Sequence, residues 1–302
     1  MRQAQVGIIG GTGLGDTLLQ QAGGEIVHVE TPFGSPSSNP VIAKWEGVDV
    51  AFIARHGDGH RFNPSSVPYR ANIWALKQLG VTAVIASGAT GSLREDIKPG
   101  ELVICDQVID KTSGRTSTFF DEGVVAHVVF ADPFCTNLRS LLIQAGEGFD
   151  AKVHHTGTYV CMEGPQFSTR AESNMHRQWG GDLIGMTCMP EAKLAREAEL
   201  CYALVALPTD YDCWRPVDPS VAADDLLTEI MGNLQRASDN AIALIRRALG
   251  LIADLPGDCT CRNALKQALW TDPSRIDPTI RKRLEPLIGR HLADNTGHDT
   301  PQ

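Results

Sequence analysis

Two carboxylate side chains, one residue apart, end an apolar run of the sequence. Asp210 and Asp212 lie in TDYDCW, at the end of the run that begins at residue 201. In a strand, the side chains of residues i and i+2 point the same way, so both carboxyl groups could face one ligand. A protonated carboxyl group beside a purine can donate to N7, and its other oxygen can accept from an N6 amino group. The pair suits adenine, and solvated loop aspartates are the ordinary alternative.

Three other apolar runs end in small or basic residues that suit an anion. The first leads into GGTGLG at 10–15, the second into Arg55 and His56, and the third into SGATGS at 87–92. Glycines let backbone N–H groups approach an anion, Thr12 adds a hydroxyl donor, and arginine presents a planar donor fork to phosphate oxygens. Each run alone is compatible with an ordinary turn. Three such ends in one chain favour a shared phosphate site.

One aromatic residue, Phe167, has two interpretations. It lies in EGPQF, after the apolar run 158–162. Stacking of an aromatic ring on a base contributes roughly 1 to 3 kcal/mol in other proteins, so Phe167 could cover a purine. Its spacing alone favours a core position at the start of the following helix.

Two other classes of protein share parts of this pattern. A dinucleotide-dependent oxidoreductase would use the glycine-rich first turn, but its G-x-G-x-x-G spacing is absent because Asp16 follows Gly15. That class also leaves TDYDCW without a role. A non-catalytic nucleoside-binding protein would share the purine pocket, but it would not need a phosphate clamp.

The cysteines predict neither a metal site nor a disulfide framework. Six are scattered singly and are expected to be small buried hydrophobes; they are Cys105, Cys135, Cys161, Cys188, Cys201 and Cys213. Cys259 and Cys261 are too close together for a zinc-knuckle arm, and no second Cys/His pair follows at ligand spacing. A local disulfide between these two, or no bond at all, is the expectation.

Composition limits the possible partners. The chain has 302 residues, 42% of them hydrophobic, and a net charge of -9. No run of Lys and Arg supplies the basic patch that nucleic-acid binding needs. No apolar stretch approaches the roughly 18 residues of a membrane span, and the first residues do not resemble a secretion signal. The expected location is the cytoplasm.

The order of apolar and amphipathic segments predicts an α/β fold. Apolar, β-branched runs alternate with helical segments. The predicted strands lie in 6–10, 48–56, 82–89, 101–110, 158–162, 182–187 and 201–210, and the predicted helices in 68–79, 168–179, 190–199 and 224–249. The last helix carries apolar residues at three-and-four spacing on one face, which is expected to pack on the sheet; they include Leu227, Ile230, Met231, Leu234, Ala241 and Ile245.

The organisation changes after residue 250. The turn-rich ADLPGDCTC at 253–261 is followed by two short helical stretches, at 265–269 and 279–291, and by a polar end. The sequence therefore predicts a main domain at 1–250 and a C-terminal helical appendage with a polar tail at 251–302.

Taken in order, the motifs resemble the methylthioadenosine phosphorylase branch of the trimeric purine nucleoside phosphorylase family. The matching segments cover roughly residues 6 to 250 and include IIGGTGL, TPFG, ARHG, ANIWALK, GSLRE, ADPFC, EGPQFS, MT-PE and TDYDCW. The resemblance implies a single domain with a mixed central sheet of six to eight strands and a distorted barrel, flanked by helices. It also implies a homotrimer with active sites near subunit boundaries, and a hexamer is the alternative assembly.

The resemblance also implies roles for individual residues. Phosphate would be held by Thr12, Arg55, His56, Gly88, Ala89 and Thr187. The substrate would contact Phe167, Met186, Asp210, Tyr211, Asp212 and, from a neighbouring subunit, His127. In these roles Phe167 would stack on the purine, Met186 would lie against the ribose, and Asp212 would support Asp210. Ser168, Ala223 and Leu226 would lie near the 5' substituent.

The implied reaction is phosphorolysis of S-methyl-5'-thioadenosine, with inorganic phosphate as co-substrate and without a cofactor or metal. Family members that prefer 6-oxopurines carry asparagine where this chain has Asp210, so the aspartate favours a 6-aminopurine. The stretch around RPVDPSVAA departs from the better-known members, and GAT at 88–90 replaces a more usual TAC or TAN. The alternative within the family is a phosphorylase of methylthioinosine or of ordinary purine nucleosides.

Overall fold

The elements follow the predicted alternation. The computed structural model describes residues 3–15, 17, 23–216 and 222–294. Its strands are β1 Val6–Gly10, β2 Glu25–Ile26, β3 Val41–Trp45, β4 Val48–Ala54, β5 Ala83–Ser92, β6 Leu102–Ile104, β7 Gln107–Asp110, β8 Val153–His154, β9 Thr158–Cys161, β10 Leu183–Gly185 and β11 Cys201–Asp210. Its helices are α1 Tyr69–Gln78, α2 Thr136–Ala145, α3 Arg170–Gln178, α4 Cys188–Glu197, α5 Ala223–Gly250 and α6 Pro278–Asp294.

The strands form one mixed sheet that branches at β5. Its main path runs β2-β3-β4-β1-β5-β10-β9-β7, and β11 pairs with both β5 and β6. The neighbours β4, β1, β5 and β11 are parallel, so their carboxyl ends meet at one edge. The described part of the chain holds eleven strands, more than the six to eight implied by the resemblance, because it includes short strands such as β2 and β8.

The branch closes into a distorted barrel where β6 runs directly into β7. The N–H of Cys105 donates to the carbonyl of Leu204 in β11, whereas the N–H of Asp106 donates to the carbonyl of Gly157 just before β9. The chain thus changes hydrogen-bonding partners between two successive residues. The predicted single strand at 101–110 is for this reason two strands.

Both faces of the sheet are buried, as the continuous apolar runs predict. Successive side chains in a strand point to opposite faces. Val84 belongs to the apolar cluster that contains residues of α1, α4 and α6, and Ile85 belongs to the cluster that contains residues of α2 and α5. No helix among the described residues is long and apolar enough to cross a membrane.

Only the second half of α5 packs on the sheet. Ala241 and Ile245 are fully buried in the core beside β11, whereas Leu227 and Met231 are 59% and 55% exposed. The prediction that the whole apolar face covers the sheet is therefore wrong for its first two turns. Those turns extend beyond the sheet edge and lie over the carboxyl ends of the strands.

Residues after α5 return to the same core. Leu284, Leu287 and Ile288 of α6 are buried together with residues of α1 and α4. The carboxylate of Glu199, itself buried, accepts hydrogen bonds from the N–H of Leu265 and from the side chain of Arg290. The stretch 264–268 consists of turns rather than the predicted short helix.

Candidate active site

A cavity of about 890 Å³ opens where the parallel strands end. Residues after β1 and β4, and the last residues of β5 and β11, line one side of it, as expected for an α/β sheet. β10 runs antiparallel to β5 and brings the residues that follow it to the same place. The wall includes Gly11, Thr12, Arg55, His56, Gly88, Ala89, Met186, Thr187, Asp210 and Asp212, together with Phe167 and Ser168.

The central feature of this wall is a buried ion pair. Both Arg55 and Glu191 have fully buried side chains, and two parallel hydrogen bonds of 2.8 Å join the guanidinium to the carboxylate. Arg55 Nη1 donates to the carbonyl of Ser87 at 2.7 Å, and the hydroxyl of Tyr202 donates to Glu191 at 2.8 Å. Burial alone would lower the pKa of Arg55, but the Glu191 carboxylate raises it above its ordinary value. The arginine is a fixed, permanent cation.

Two glycines let this cation approach the cavity. A Cβ atom on Gly11 would lie 2.6 Å from Arg55 Nη1, and one on Gly88 would lie 3.8 Å from it. The hydroxyl of Thr187 lies near the same position, 3.4 Å from where the Cβ of Gly88 would be. The bonds to Glu191 and Ser87 use three of the five N–H donors of the guanidinium. The remaining donors, the glycine amides and the hydroxyls of Thr12 and Thr187 form a set suited to phosphate oxygens.

The close approach at Gly11 yields a testable prediction. We expect Gly11→Ala to lower stability by about 1–3 kcal/mol and to raise the KM for phosphate, because its Cβ would collide with Arg55 and with the carbonyl of Ser87. Thermal unfolding and phosphate titrations of the initial rate measure the two effects. Gly250→Ala is the control, since a Cβ there meets nothing within 4 Å. Equal behaviour of the two variants would contradict the proposed contact.

His56 is a neutral hydrogen-bond acceptor rather than a second cation. Its Nδ1 lies 2.8 Å from the carbonyl oxygen of Phe62, which can only accept, so Nδ1 carries the proton. Burial and the neighbouring Arg55 charge lower the pKa of His56 to about 4. At neutral pH, Nε2 is then free of a proton and can accept a hydrogen bond from a protonated phosphate oxygen or a ribose hydroxyl.

A second part of the cavity wall carries the two aspartates. Asp210 Oδ2 accepts from the hydroxyl of Thr209 at 2.7 Å, and Oδ1 accepts from the N–H of Asp212 at 2.7 Å. Burial raises the pKa of Asp210, and the nearby Asp212 carboxylate adds to the rise against these hydrogen bonds. A raised pKa is the direction of change that general-acid catalysis by this carboxyl group requires.

Two buried polar atoms of the wall lack a partner among the described residues. They are Thr90 Oγ1 and Asp212 Oδ2, and both residues line the cavity. Buried polar atoms in folded proteins are nearly always hydrogen-bonded, so these two are candidate contacts for a bound molecule. The Asp212 oxygen is an acceptor suited to an amino group.

The cavity wall also has an apolar surface. Phe167 is 85% exposed at the mouth of the cavity, so its interpretation as a core residue is wrong. Other apolar side chains come from β10, from the residue that follows it and from α5; they include Ile184, Met186, Leu227, Ile230, Met231 and Leu234. Ser168 completes this side, and its carbonyl accepts from the thiol of Cys213 at 3.2 Å.

Four predicted site residues, Tyr211, His127, Ala223 and Leu226, are not among the cavity-lining residues, and Leu226 is exposed on α5. The Tyr211 ring packs edge-on against Trp214, 6.0 Å away, with the guanidinium of Arg215 3.9 Å from its centre. His127 lies on the surface beside Trp270, so within a single chain it does not reach the cavity. Ala223 begins α5, but its side chain lies outside the described part of the structure.

Sequence reasoning missed Glu191. The motif MT-PE contributed to the resemblance, but a lone glutamate gives no sign of a partner 136 positions away. It also missed the α5 residues Leu227 and Met231 as cavity residues, because their three-and-four spacing is the same on a core face and on a cavity wall.

Comparison with known proteins shows which family this chain belongs to. The family model for the phosphorylase superfamily matches residues 5–250. An S-methyl-5'-thioadenosine phosphorylase of Geobacter sulfurreducens is 48% identical over 288 residues, which cover 95% of this chain and 99% of the relative. One from Hyperthermus butylicus is 47% identical over 273 residues, covering 88% of this chain and 96% of the relative.

Solved structures agree as well. A methylthioadenosine phosphorylase from an antarctic soil metagenomic library superposes with a TM-score of 0.86 at 48% identity, covering 95% of this chain and 99% of that one. The Schistosoma mansoni enzyme in complex with tubercidin gives 0.78 at 36% identity, with coverage of 87% and 96%. The chain belongs to the phosphorylase superfamily and, within it, to the family of the S-methyl-5'-thioadenosine phosphorylases.

Proposed function

We propose that this chain catalyses phosphorolysis of S-methyl-5'-thioadenosine to adenine and 5-methylthioribose 1-phosphate. The observation that carries the proposal is one cavity in which a fixed cation, Arg55, and a buried carboxyl group with a raised pKa, Asp210, lie among the same wall residues. Phosphorolysis needs both groups. One holds the nucleophile, and the other assists the departing base.

Phosphate binds at the edge formed by Arg55, Gly88 and Thr187, with Ala89 and Thr12 nearby. Arg55 and the backbone amides orient its oxygens toward C1', while neutral His56 accepts a hydrogen bond from the protonated phosphate oxygen. Positioning of this kind converts a reaction between two dissolved molecules into one within a single complex. The anion also stabilises positive charge that develops on the ribose.

The base leaves with help from Asp210. As the bond between C1' and N9 breaks, its electron pair moves into the purine and the carboxyl proton of Asp210 passes to N7. A phosphate oxygen forms the new bond to C1', and Asp210 regains a proton from solvent. Burial favours the protonated form of this carboxyl group before the reaction, which is the form a general acid needs.

The carboxyl pair supports a 6-aminopurine over a 6-oxopurine. Asp212 Oδ2 is a buried acceptor without a partner among the described residues, and an exocyclic amino group would supply its hydrogen bond. A 6-oxo group offers only lone pairs there. The alternative methylthioinosine or purine nucleoside activity is therefore not favoured.

The apolar side of the cavity supports a methylthio group at the 5' position. Leu227, Ile230 and Met231 of α5 present aliphatic and thioether groups to the cavity. A methylthio group loses little on leaving water, whereas a 5' hydroxyl would leave a polar group against this surface. Ser168, Tyr211 and Ala223 remain predicted substrate-side residues.

A homotrimer in the cytoplasm is part of the proposal. His127 lies next to Val129 and Trp270, whose side chains are 77% and 73% exposed, and an apolar surface of this kind is typical of a subunit contact. All eight cysteines lie within the described residues as free thiols, which suits a reducing compartment. We assign phosphate as the co-substrate and propose no cofactor. We assign the phosphorylase domain to residues 1–250, since every cavity-lining residue named above precedes residue 250.

The test is base release from methylthioadenosine, adenosine, methylthioinosine and inosine, each with and without phosphate, followed by chromatography. We expect adenine from methylthioadenosine only when phosphate is present. Release without phosphate would indicate hydrolysis and contradict the role of Arg55. Hypoxanthine from the inosine substrates alone would overturn the role of Asp210, and no release at all would favour a binding protein.

A further inference from the structure

Four cysteines from three separate parts of the chain meet in the core, away from the cavity. Cys135 precedes α2, Cys201 begins β11, and Cys259 and Cys261 lie on the segment after α5. All four are buried, and their sulfur atoms lie within 4.8 Å of one another. Cys259 and Cys261 thus have two further thiols within reach, which the spacing of cysteines along the sequence did not indicate. Their partners are 58 or more positions earlier in the sequence, where no local spacing could reveal them.

The separations fit a tetrahedral metal site. Zinc bound by four thiolates has metal–sulfur distances of about 2.3 Å, which places the sulfurs about 3.8 Å apart. The sulfur atoms of Cys135 and Cys259 are 3.6 Å apart, and no pair in the cluster exceeds 4.8 Å. Small changes in side-chain torsions that move the sulfur atoms by about 1 Å or less would place all four around a common centre.

The surroundings of the cluster are apolar apart from one polar contact to a sulfur atom. The side-chain amide of Asn137 donates to Cys259 Sγ at 3.4 Å, as polar groups around metal-bound sulfur commonly do. The rest of the neighbourhood is apolar, so a thiolate there needs a positive partner at close range.

We infer that Cys135, Cys201, Cys259 and Cys261 bind one structural Zn²⁺, or a divalent metal of the same thiolate preference, which ties the C-terminal segment to the sheet. On binding, each thiol releases its proton to solvent as its sulfur–metal bond forms, and the metal loses its water ligands. No electron is transferred. This site would fix the segment 251–263, whose backbone consists of turns and short 3-10 helices.

Metal content is the direct test. The full chain is expressed without a metal-binding tag, purified without chelator, and analysed by mass spectrometry for bound metal, with free thiols counted after denaturation. We expect about one zinc ion per chain and eight titratable thiols. A metal-free chain overturns the inference, whether the four thiols are found free or paired in disulfides.

Two variants and a control locate the metal. Cys259→Ser and Cys261→Ser should each reduce bound zinc to below about a tenth of an equivalent, because a structural site needs all four ligands. Cys105→Ser replaces an equally buried thiol outside the cluster and should keep its zinc. Zinc retained by the cluster variants would overturn the assignment.

A second measurement avoids dependence on how the variants fold. Metal-free protein of the natural sequence, prepared with a chelator, is titrated with Co²⁺. Tetrahedral thiolate coordination should give intense sulfur-to-metal charge-transfer absorption that saturates at about one equivalent and is reversed by Zn²⁺. Absence of these bands would overturn the inference. The Co²⁺ titration does not depend on nucleoside turnover. A negative result would therefore overturn the metal site without bearing on the proposed enzymatic function.

Discussion

Replacement of Asp210 by asparagine should lower kcat for methylthioadenosine by about 10²- to 10⁴-fold, the usual contribution of a general acid. The amide has nearly the same shape, so it can still meet the base, but it cannot deliver a proton to N7. Initial rates at saturating phosphate, read from adenine by chromatography, measure the loss. The KM for phosphate should change little, because Asp210 is not among the predicted phosphate ligands.

Asp210→Asn should also change how the stability of the protein depends on pH. The folded-state pKa of Asp210 is raised, chiefly by burial, so its ionisation costs the folded state more than the unfolded state. The favourable contribution of this group is fully present at low pH and is lost as pH rises through the raised pKa. Asparagine does not ionise, so the variant does not undergo this loss of stability as pH rises. Thermal unfolding across pH should therefore show the variant gaining relative to the natural sequence as pH increases.

A matched control uses an exposed aspartate. Asp96→Asn changes the same atoms at an exposed site, where the carboxylate pairs with the exposed Arg94, and its kcat should equal that of the natural sequence. If Asp210→Asn turns over methylthioadenosine within about threefold of normal, well short of the expected general-acid effect, proton transfer from this residue is excluded.

Sequence reasoning located the strand ends because parallel strands place their carboxyl ends together. Gly11, Arg55, Gly88 and Asp210 follow four apolar runs, and the structure brings all four to one cavity. Such residues can be recognised from the neighbouring sequence alone, because each one marks where an apolar run ends. Their meeting at one cavity could be predicted for this reason.

The parts that escaped prediction depend on contacts between distant residues. Glu191 has meaning only beside Arg55, and Cys259 only beside Cys135 and Cys201. Helix boundaries were recovered to within about two residues in most cases, but α2 was not predicted. The first half of α5 lies over the cavity because the sheet ends beneath it. The periodicity of apolar residues in a helix carries no information about where the sheet ends.

Loss of the Glu191 carboxylate should have the largest effect on stability. Glu191→Gln leaves a fully buried guanidinium without its counter-charge and points an amide N–H₂ group at one of the Arg55 donors. Removing one partner of a buried ion pair typically costs about 3–5 kcal/mol, far more than the pair itself contributes over an apolar replacement. Chemical denaturation of the phosphate-free protein measures this loss.

The variant should also bind phosphate poorly. Glu191 fixes the guanidinium through two parallel bonds, and Tyr202 fixes the carboxylate in turn. Without that arrangement the donors that face phosphate shift, and a displacement of about 1 Å can reduce a rate 10²-fold. We expect the KM for phosphate to rise by about tenfold or more, while the KM for the nucleoside changes little. Glu191 is thus a positioning residue for Arg55.

Glu46→Gln separates this effect from the general consequence of losing a glutamate. Glu46 pairs with Arg246 at 3.1 Å, and both side chains are about 40% exposed, so solvent replaces the lost interaction. Exposed pairs contribute about 0–1 kcal/mol, and the phosphate KM should not move. Similar small losses in the two variants would mean that the Arg55 guanidinium is held by Ser87 and the surrounding packing rather than by Glu191. A large loss confined to Glu191→Gln, together with the raised phosphate KM, would establish the buried pair as the support of the anion site.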